Sequence, residues 1–391
     1  LDRYWGYQAR LIDEVLTRNA TLRADIDEAR LQASLDRLFP SLEGVDGEDL
    51  QRKAAESVAR QGFTIITGGP GTGKTTTIKR VMALLIEEAW HQDKRTPRFM
   101  LMAPTGKAAA RMKEAIREHD DPDPESKKPR LHTSEAVKRA LPDKASTIHR
   151  ALGFNPRHKT RFTHDSSNPL DADVVIVDEA SMIDLALMVK LFEAVPKSAR
   201  LVLLGDADQL KSVEAGAILG DLCRGLQSGV VTLTFTHRFG AKSGVGALSR
   251  AIKAEDAERA LDLLTHKVSE HPEGLMYEEL RWIALEKEDN LRTFKARIQQ
   301  VLKPIVLQES RAFYEALNAG RLGEALEAMD HFRVLAAHRK GHLGVQGLNR
   351  AIEGWLKSAG RIQLREDSPF YVGRPIIITQ NDREQDLYNG D

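Results

Sequence analysis

Residues 63–75 read Phe-Thr-Ile-Ile-Thr-Gly-Gly-Pro-Gly-Thr-Gly-Lys-Thr, a β-branched apolar run that leads directly into a glycine-rich turn. Within this stretch, Gly68, Gly73, Lys74 and Thr75 satisfy the pattern G-x-x-x-x-G-K-[ST]. Backbone N–H groups of such a loop, together with the N-terminus of the following helix, bind anions such as nucleotide phosphates. The pattern predicts that Lys74 reaches the β- and γ-phosphates and that the Thr75 hydroxyl is a ligand of Mg²⁺.

The sequence on either side of the turn meets the structural requirement for this site, which is a strand before the loop and a helix after it. Apolar residues recur at helical spacing after the loop, at Ile78, Val81, Met82, Leu85 and Ile86. A glycine-rich loop that binds nothing is therefore the weaker interpretation. The predicted nucleotide site comprises Gly68, Gly69, Pro70, Gly71, Thr72, Gly73, Lys74, Thr75 and Thr76.

The composition is that of a globular chain long enough for two or three domains. The sequence has 391 residues, of which 41% are hydrophobic and 29% charged. No apolar run approaches the ~18 residues that a membrane span requires. The single cysteine, Cys223, excludes an internal disulfide framework. A cytoplasmic location is therefore the default expectation.

The charge balance limits how the chain can attract nucleic acid. Fifty-seven basic and 57 acidic side chains give a formal net charge of zero. A neutral chain has no global positive field that draws in a polyanion. Any nucleic-acid site must therefore be a local channel.

The middle of the chain predicts an α/β domain over residues 48–240. Its predicted strands are so continuously apolar that they favour a parallel sheet covered on both faces. Each strand ends in polar or small residues, and ligands of such sheets lie beyond the carboxyl ends of the strands. The strands are predicted at 63–67, 99–103, 174–177 and 201–204.

The regions on either side of this domain have different patterns of apolar residues. Residues 1–47 carry leucine and isoleucine at helical spacing, which predicts a small helical N-terminal domain for packing or partner docking. Residues 241–391 begin with a long helical stretch. Strands are predicted to return at 333–337 and 374–379, so this region is interpreted as most of a second α/β domain.

Two adjacent carboxylates, Asp178 and Glu179, follow the predicted strand 174–177. About a hundred residues after a phosphate loop, this is a Walker B arrangement, in which Asp178 holds Mg²⁺ and Glu179 acts as general base toward water. The alternative, an acidic surface turn, is disfavoured by the four apolar residues immediately before it. Another strand end supplies Gln209, whose uncharged amide is suited to detecting the γ-phosphate.

Taken in order, these motifs resemble those of the superfamily 1 helicases, and more narrowly those of the RecD family, the α subunits of the RecBCD enzyme (exonuclease V). The resemblance implies tandem RecA-like P-loop domains with parallel sheets. It is carried by residues 68–75, 103–112, 146–153, 174–184, 201–216 and 236–240, and later by 338–353 and 388–391.

The resemblance also implies roles for residues outside the Walker motifs. Arg238 corresponds to the arginine that reaches the γ-phosphate from the far side. Gln51 corresponds to a glutamine that reads adenine, although a solvated helix glutamine would look the same. The single-stranded DNA contacts would come from Pro104, Thr105, Gly106, Lys107, Thr147 and His149. The simpler alternatives are a helix N-cap for Thr105 and a core histidine for His149.

An insertion at 153–170 lies where the family carries a small β-hairpin pin that parts the duplex. Residues 155–169 hold Arg157, His158, Lys159, Arg161 and His164 around Phe162. A solvated loop is an equally good interpretation. The family also carries a longer segment between the helix that ends near Leu226 and residues 236–240, so residues 228–230 are expected to join the edges of an unseen loop. Motifs V and VI would lie beyond Asp391.

The sequence therefore predicts an ATP- and Mg²⁺-dependent helicase that moves along single-stranded DNA, with a 5′-to-3′ direction implied by the resemblance. RecB-like and RecC-like subunits are the implied partners in a heterotrimer for double-strand break repair and recombination. No cluster of carboxylates suggests a two-metal nuclease, so exonuclease activity is expected in a partner chain. The alternatives are a stand-alone RecD-like helicase, a P-loop small-molecule kinase and a nucleotide-binding scaffold subunit.

Overall fold

The computed structural model describes residues 2–23, 26–40, 49–117, 131–154, 161–209, 218–235, 243–265, 279–280, 282, 291–364, 368–379 and 385. Its chain divides into two compact units. The first consists of Leu1–Leu280 with Ile378–Asp391, and the second is Arg281–Ile377.

A six-stranded sheet forms the centre of the first unit. All pairings between its strands are parallel, and their spatial order is β3-β2-β4-β5-β1-β6. The predicted parallel α/β fold is thereby confirmed. The strands are β1 Phe63–Gly68, β2 Phe99–Ala103, β3 Ala145–Thr147, β4 Val174–Val177, β5 Arg200–Gly205 and β6 Val230–Leu233.

The four strands predicted from apolar runs lie within one residue of their expected ends. The two strands that sequence reasoning missed, β3 and β6, are the edge strands of the sheet. β3 has three half-buried residues, and β6 has an exposed threonine between two buried side chains. Edge strands of this kind lack the continuous apolar run that identifies a central strand.

Helices cover both faces of the sheet. One core lies under α2, α3 and α4, and the other lies under α1 and α8. The helices of this unit are α1 Asp2–Asn19, α2 Glu28–Leu38, α3 Leu50–Arg60, α4 Lys74–His91, α5 Gly106–Arg117, α6 Glu135–Ala140, α7 Ile148–Ala151, α8 Leu185–Ala194, α9 Ile218–Gly225, α10 Gly244–Lys253 and α11 Ala257–Thr265. Within the described part of the chain, no helix is both long and apolar enough to cross a membrane.

The N-terminal helices α1 and α2 join the sheet rather than standing apart from it. Leu31, Leu35 and Leu38 of α2 are fully buried in the core beside α4, whereas Leu11 and Val15 of α1 are buried on the opposite face. These helices were expected in a separate domain at 1–47, and the structure places them in the same compact unit as the sheet.

A buried arginine fastens α1 to α8. The Arg18 side chain is 2% exposed, and its guanidinium donates hydrogen bonds to the carbonyl oxygens of Phe192, Val195 and Pro196. These carbonyls lie at the end of α8, where a helix leaves its last acceptors without partners. Arg18 therefore acts as a cap contributed by another helix.

A tight turn connects α9 to β6, at the position where a longer loop was expected near 228–230. Gly229 has φ 77°, and its carbonyl accepts a hydrogen bond of 2.7 Å from the backbone N–H of Ile65. A Cβ at this position would lie 2.7 Å from Oδ1 of Asn19 and 3.0 Å from the carbonyl oxygen of Phe63. The left-handed backbone and the close packing both require glycine.

The second unit is helical in its described residues. Tyr314, Leu356 and Ile362 form its small core. Its helices are α12 Leu291–Glu309, α13 Arg311–Asn318, α14 Leu322–Asp330 and α15 Val345–Ser358.

The strands predicted at 333–337 and 374–379 are wrong for the structure as described, which has neither as a strand. Leu335 is 90% exposed and Ile376 is 67% exposed. A strand requires a neighbouring strand that accepts and donates backbone hydrogen bonds, and the described residues provide none beside these segments. A second RecA-like domain over 241–391 stays a prediction.

Candidate functional site

Three neighbouring strands bring the predicted nucleotide site together. β4, β5 and β1 are adjacent and parallel, so their carboxyl ends meet at one edge of the sheet. Beyond these ends lie Asp178 after β4, Asp206 after β5 and the glycine-rich loop after β1. The topology therefore gathers groups that are more than a hundred residues apart in sequence.

The glycine-rich loop is closed by its own hydrogen bonds. The Lys74 ammonium donates to the carbonyl oxygens of Gly68 at 2.6 Å and Gly69 at 3.1 Å, and the Thr72 hydroxyl donates to the Gly69 carbonyl at 2.9 Å. Gly71 and Gly73 have φ of 77° and 83°. Pro70 lies exposed on the loop, and Thr75 and Thr76 lie in the first turn of α4.

Gly68 is fixed by close packing. A Cβ on Gly68 would lie 2.7 Å from the carbonyl oxygen of Leu233 and 2.9 Å from the Thr72 hydroxyl. Neither neighbour can move freely, because one belongs to the backbone of β6 and the other closes the loop. The loop shape thus depends on the edge strand that sequence reasoning missed.

Gln51 reaches the loop from α3. Its amide nitrogen donates to the Thr72 carbonyl oxygen at 3.3 Å. Asp49 caps the helix by accepting hydrogen bonds from the backbone N–H groups of Gln51 and Arg52. The Gln51 side chain is therefore not simply solvated, and its role in reading adenine stays a prediction.

Asp178 and Glu179 form a tight acidic turn. The backbone N–H of Glu179 donates to Oδ1 of Asp178 at 2.8 Å. Burial raises the pKa of Asp178, and the Lys74 ammonium opposes that rise. Burial also raises the pKa of Glu179, with a further contribution from Asp178. Glu179 has φ 52°, a left-handed conformation that is uncommon for a residue with a side chain.

Lys74 faces three carboxylates. Burial lowers the pKa of its ammonium, and the charges of Asp206, Asp178 and Glu179 counter that shift. Asp206, which is 4% exposed, makes the largest of the contributions that raise the pKa of Lys74. Gln209 but not Asp206 was assigned from the sequence at this strand end, because nothing local in the sequence shows that the Asp206 carboxylate lies near the phosphate loop.

Gln209 lies beside the residues that follow the acidic turn. Its backbone N–H donates to the Asp206 carbonyl oxygen at 3.2 Å, and its side-chain oxygen accepts a 3.5 Å hydrogen bond from the Ser181 hydroxyl. Ser181 lies in the short 3₁₀ helix Ala180–Met182. The predicted Arg238 lies outside the described residues.

The predicted DNA contacts lie in two segments at the same edge of the sheet. Pro104, Thr105, Gly106 and Lys107 follow β2, and Thr147 ends the adjacent strand β3. The Thr105 hydroxyl accepts a hydrogen bond from the Ala108 N–H at 3.2 Å, as the alternative interpretation required, and Lys107 is exposed.

The second of these segments begins a helix. The Thr147 hydroxyl caps α7 by accepting from the Arg150 N–H at 3.3 Å. His149 packs against aromatic rings, with centroid distances of 5.4 Å to Phe154 and 5.9 Å to Phe162. Burial lowers the pKa of His149. Both residues thus have structural partners in addition to any role toward DNA.

The described ends of the predicted pin form an antiparallel pair. Phe154 and Phe162 are bridged, the Thr163 N–H donates to the Gly153 carbonyl, and the His164 N–H donates to the Leu152 carbonyl. This is the stem of a hairpin. Arg157, His158 and Lys159 lie outside the described residues.

Comparison with known proteins gives relatives along the whole chain. Residues 51–215 match the family described as an AAA domain. The chain is 41% identical over 392 residues to the RecBCD enzyme subunit RecD of Mycolicibacterium smegmatis, an alignment that covers 100% of this chain and 63% of the relative. It is 33% identical over 434 residues to the RecBCD enzyme subunit RecD of Haemophilus influenzae, covering 100% and 64%.

A third relative bears a different name. The ATP-dependent RecD2 DNA helicase of Deinococcus radiodurans is 28% identical over 341 residues, which cover 87% of this chain and 37% of that protein. The chain thus spans less than two thirds of the length of these curated relatives. The Mycolicibacterium alignment is one position longer than this chain and the Haemophilus alignment is 43 positions longer, 434 against 391, so the loop expected near 228–230 stays a prediction.

Proposed function

We propose that the chain is a RecD-type protein, an ATP-dependent DNA helicase that translocates along single-stranded DNA, on the basis of its likeness to RecD subunits along its whole length. A 5′-to-3′ direction accompanies the proposal and comes from the family resemblance. One observation supports the proposed ATP-dependent activity most strongly. The glycine-rich loop with Lys74, the acidic pair Asp178 and Glu179, and Asp206 follow the adjacent parallel strands β1, β4 and β5 at one edge of the sheet, where the three carboxylate charges act on the Lys74 ammonium.

The same edge suits ATP with Mg²⁺. The loop between Gly68 and Thr76 offers backbone N–H groups and the start of α4 to the phosphates. Magnesium prefers a few oxygen ligands and keeps several waters, so the half-buried Asp178 carboxylate and the Thr75 hydroxyl fit it. When bound, the ion neutralises charge that develops on the phosphates.

The chain's own groups divide the remaining work. Glu179 takes the proton of the attacking water, and Lys74 leaves the Gly68 and Gly69 carbonyls to bind the β- and γ-phosphates. Gln209 contacts the terminal phosphate and passes its loss to Ser181 through their hydrogen bond. Arg238 supplies positive charge from the opposite side of the phosphate.

Single-stranded DNA runs across the helix starts that follow β2 and β3. Lys107 contributes an exposed charge, and the hydroxyls of Thr105 and Thr147 lie at adjacent strand ends. Contacts of this kind address phosphates and carry no base information. The hairpin at 153–170 then acts on the duplex ahead of the strand.

We further propose that the protein works with RecB-like and RecC-like subunits in double-strand break repair and recombination, and that a partner supplies the nuclease centre. The names of the Mycolicibacterium and Haemophilus relatives, which are RecBCD subunits, support this assembly. The name of the Deinococcus relative supports the alternative of a stand-alone helicase.

The decisive experiment measures ATP hydrolysis by the purified protein with and without single-stranded DNA. Lys74→Gln should abolish the stimulated rate, because the cation between the β- and γ-phosphates is gone. Lys197→Gln is the matched control, since this exposed lysine pairs with Glu14 of α1. Stimulated turnover of Lys74→Gln within a few-fold of the unaltered protein would refute the assignment.

Unwinding is tested on duplexes that carry either a 5′ or a 3′ single-stranded tail. The proposed direction predicts strand separation from the 5′ tail. The assay is repeated with RecB-like and RecC-like subunits added. Activity of the chain by itself would favour the stand-alone alternative, and activity only in the mixture would favour the heterotrimer.

A further inference from the structure

A second lysine lies against the phosphate loop, and it comes from a distant part of the chain. Lys253 is the last residue of α10. A methyl group placed on Gly69 would lie 3.0 Å from the Lys253 ammonium nitrogen and 3.7 Å from its Cε. The tip of this side chain therefore lies directly over the second glycine of the loop.

Two ammonium groups consequently meet at one short stretch of backbone. Lys74 donates to the carbonyl oxygens of Gly68 and Gly69, and Lys253 stands over Gly69. The two like charges repel each other: burial is the main cause of the lowered pKa of Lys74, and the Lys253 charge lowers it further. An anion placed between them would relieve the repulsion.

Asp208 provides a partial counter-charge. One of its carboxylate oxygens lies 3.2 Å from the Lys253 ammonium, with the Asp208 side chain 63% exposed and the Lys253 side chain 38% exposed. An exposed ion pair of this type is weak and exchanges readily. Asp208 also precedes Gln209, the residue proposed to contact the terminal phosphate, and its N–H donates to Asp206.

We propose that Lys253 is a second phosphate-binding cation, which leaves Asp208 and pairs with the terminal phosphate of the bound nucleotide. The inference rests on the proposed function, because it requires ATP in the loop. It assigns to α10 a direct contact with the triphosphate end. Asp208 then acts as a competing anion that holds Lys253 in place when the nucleotide is absent.

This arrangement gives the chain a nucleotide contact that no motif records. A lysine at the end of a helix also interacts favourably with the helix dipole, so sequence alone attributes Lys253 to that role. A dipole interaction needs no particular tertiary neighbour. The position over Gly69, beside Asp208, is what distinguishes a phosphate ligand from an ordinary helix-end charge.

The test measures equilibrium binding of fluorescent, non-hydrolysable ATP and of fluorescent ADP to the purified protein. Lys253→Ala should weaken ATP-analogue binding by about 10- to 100-fold, the loss expected for one hydrogen bond to a charged group. ADP binding should change far less. Lys253→Arg should restore most of the affinity, and Asp208→Asn should tighten ATP-analogue binding by about two- to fivefold.

Arg250→Ala is the matched control, since Arg250 is an exposed cation one turn earlier on α10. Its ATP-analogue affinity should equal that of the unaltered protein. Equal affinities of Lys253→Ala and Arg250→Ala would overturn the inference, and equal loss for ATP and ADP would overturn the assignment to the terminal phosphate.

Lys74→Ala separates this inference from the function on which it depends. Nucleotide binding that requires Lys74 but ignores Lys253 rejects only the second cation. A protein that binds no nucleotide at all rejects the proposed function itself.

Discussion

Glu179 combines a strained backbone with a perturbed carboxyl group. Its φ of 52° places it in the left-handed region, and its N–H is committed to Asp178. Strain of this kind persists only where the surroundings hold it, and it concentrates at functional sites.

Replacement of Glu179 by Gln should leave ATP and Mg²⁺ binding intact while slowing hydrolysis by about 10²- to 10⁴-fold, the usual worth of a general base. Single-turnover hydrolysis and fluorescent-nucleotide binding measure the two effects. Glu135→Gln is the control, because Glu135 is an exposed residue of α6. Loss of nucleotide binding in Glu179→Gln would instead make Glu179 a metal ligand.

The predicted nucleotide site was assigned from local motifs. Lys74 and Asp178 follow apolar strands at recognisable spacing, so the local sequence predicts that both lie at the carboxyl ends of strands. No local sequence pattern identifies Asp206 or Lys253 as part of the site. Asp206 reaches the site because β5 lies between β4 and β1, and Lys253 reaches it because α10 ends over Gly69. Strand order and helix placement are tertiary facts that periodicity does not encode.

At the scale of elements, the described part of the insertion is its stem, in which residues 152–154 pair with residues 162–164. Gly153, Phe154, Phe162 and Thr163 hold the stem through backbone pairing, and His149 packs against both phenylalanine rings. The stem is thereby tied to α7, which begins at a predicted DNA contact. The bridge, the backbone hydrogen bonds and the ring contacts described here all involve residues that flank 155–160.

Replacing residues 155–160 by a short glycine linker should spare ATP hydrolysis stimulated by single-stranded DNA and reduce strand separation. The reason is that a wedge acts on the duplex and does not touch the nucleotide. Parallel ATPase and unwinding assays measure the split. As a control, Lys197→Ala changes one exposed charge outside the insertion. Equal loss of both activities on replacement would identify 155–160 as a folding element.

The cap that Arg18 provides to α8 predicts a large effect on stability. Arg18→Met keeps the length of the side chain but leaves three carbonyl oxygens at the end of α8 without their donor. The free energy of unfolding should fall by about 2–5 kcal/mol, the range for disrupting a buried polar network. Chemical denaturation followed by circular dichroism measures it.

Arg10→Ala is the matched control for that experiment. Arg10 also lies on α1 and pairs with Glu193 of α8 at 2.6 Å, but its side chain is 50% exposed. Exposed pairs contribute at most about 1 kcal/mol. Similar losses for Arg18→Met and Arg10→Ala would mean that the buried cap is no stronger than a surface ion pair.

At the scale of the whole molecule, the zero formal charge makes DNA affinity depend on individual cations. Lys107→Ala should weaken binding to single-stranded DNA and should lower the slope of log affinity against log salt by about 0.7, the share of one phosphate contact. Fluorescence anisotropy over a series of NaCl concentrations measures the slope. An unchanged slope would remove Lys107 from the DNA path, and Lys197→Ala should leave it unchanged.

Strand prediction from composition failed for residues 333–337 and 374–379. Apolar runs at 333–337 and 374–379 have strand composition, yet the structure leaves both unpaired and Leu335 and Ile376 exposed. A strand is a property of at least two segments, so composition identifies a candidate but not its partner. Strand prediction succeeded for β2, β4, β5 and β1 because these apolar segments are neighbours in one sheet and are covered on both faces.

The long reach between α1 and α8 has a consequence for biosynthesis. Arg18 meets Phe192 across 174 residues of chain, and ribosomes add about 5–20 residues per second. For roughly 10–35 s, Tyr7, Leu11 and Val15 therefore leave the exit tunnel before the helix that buries them has been translated.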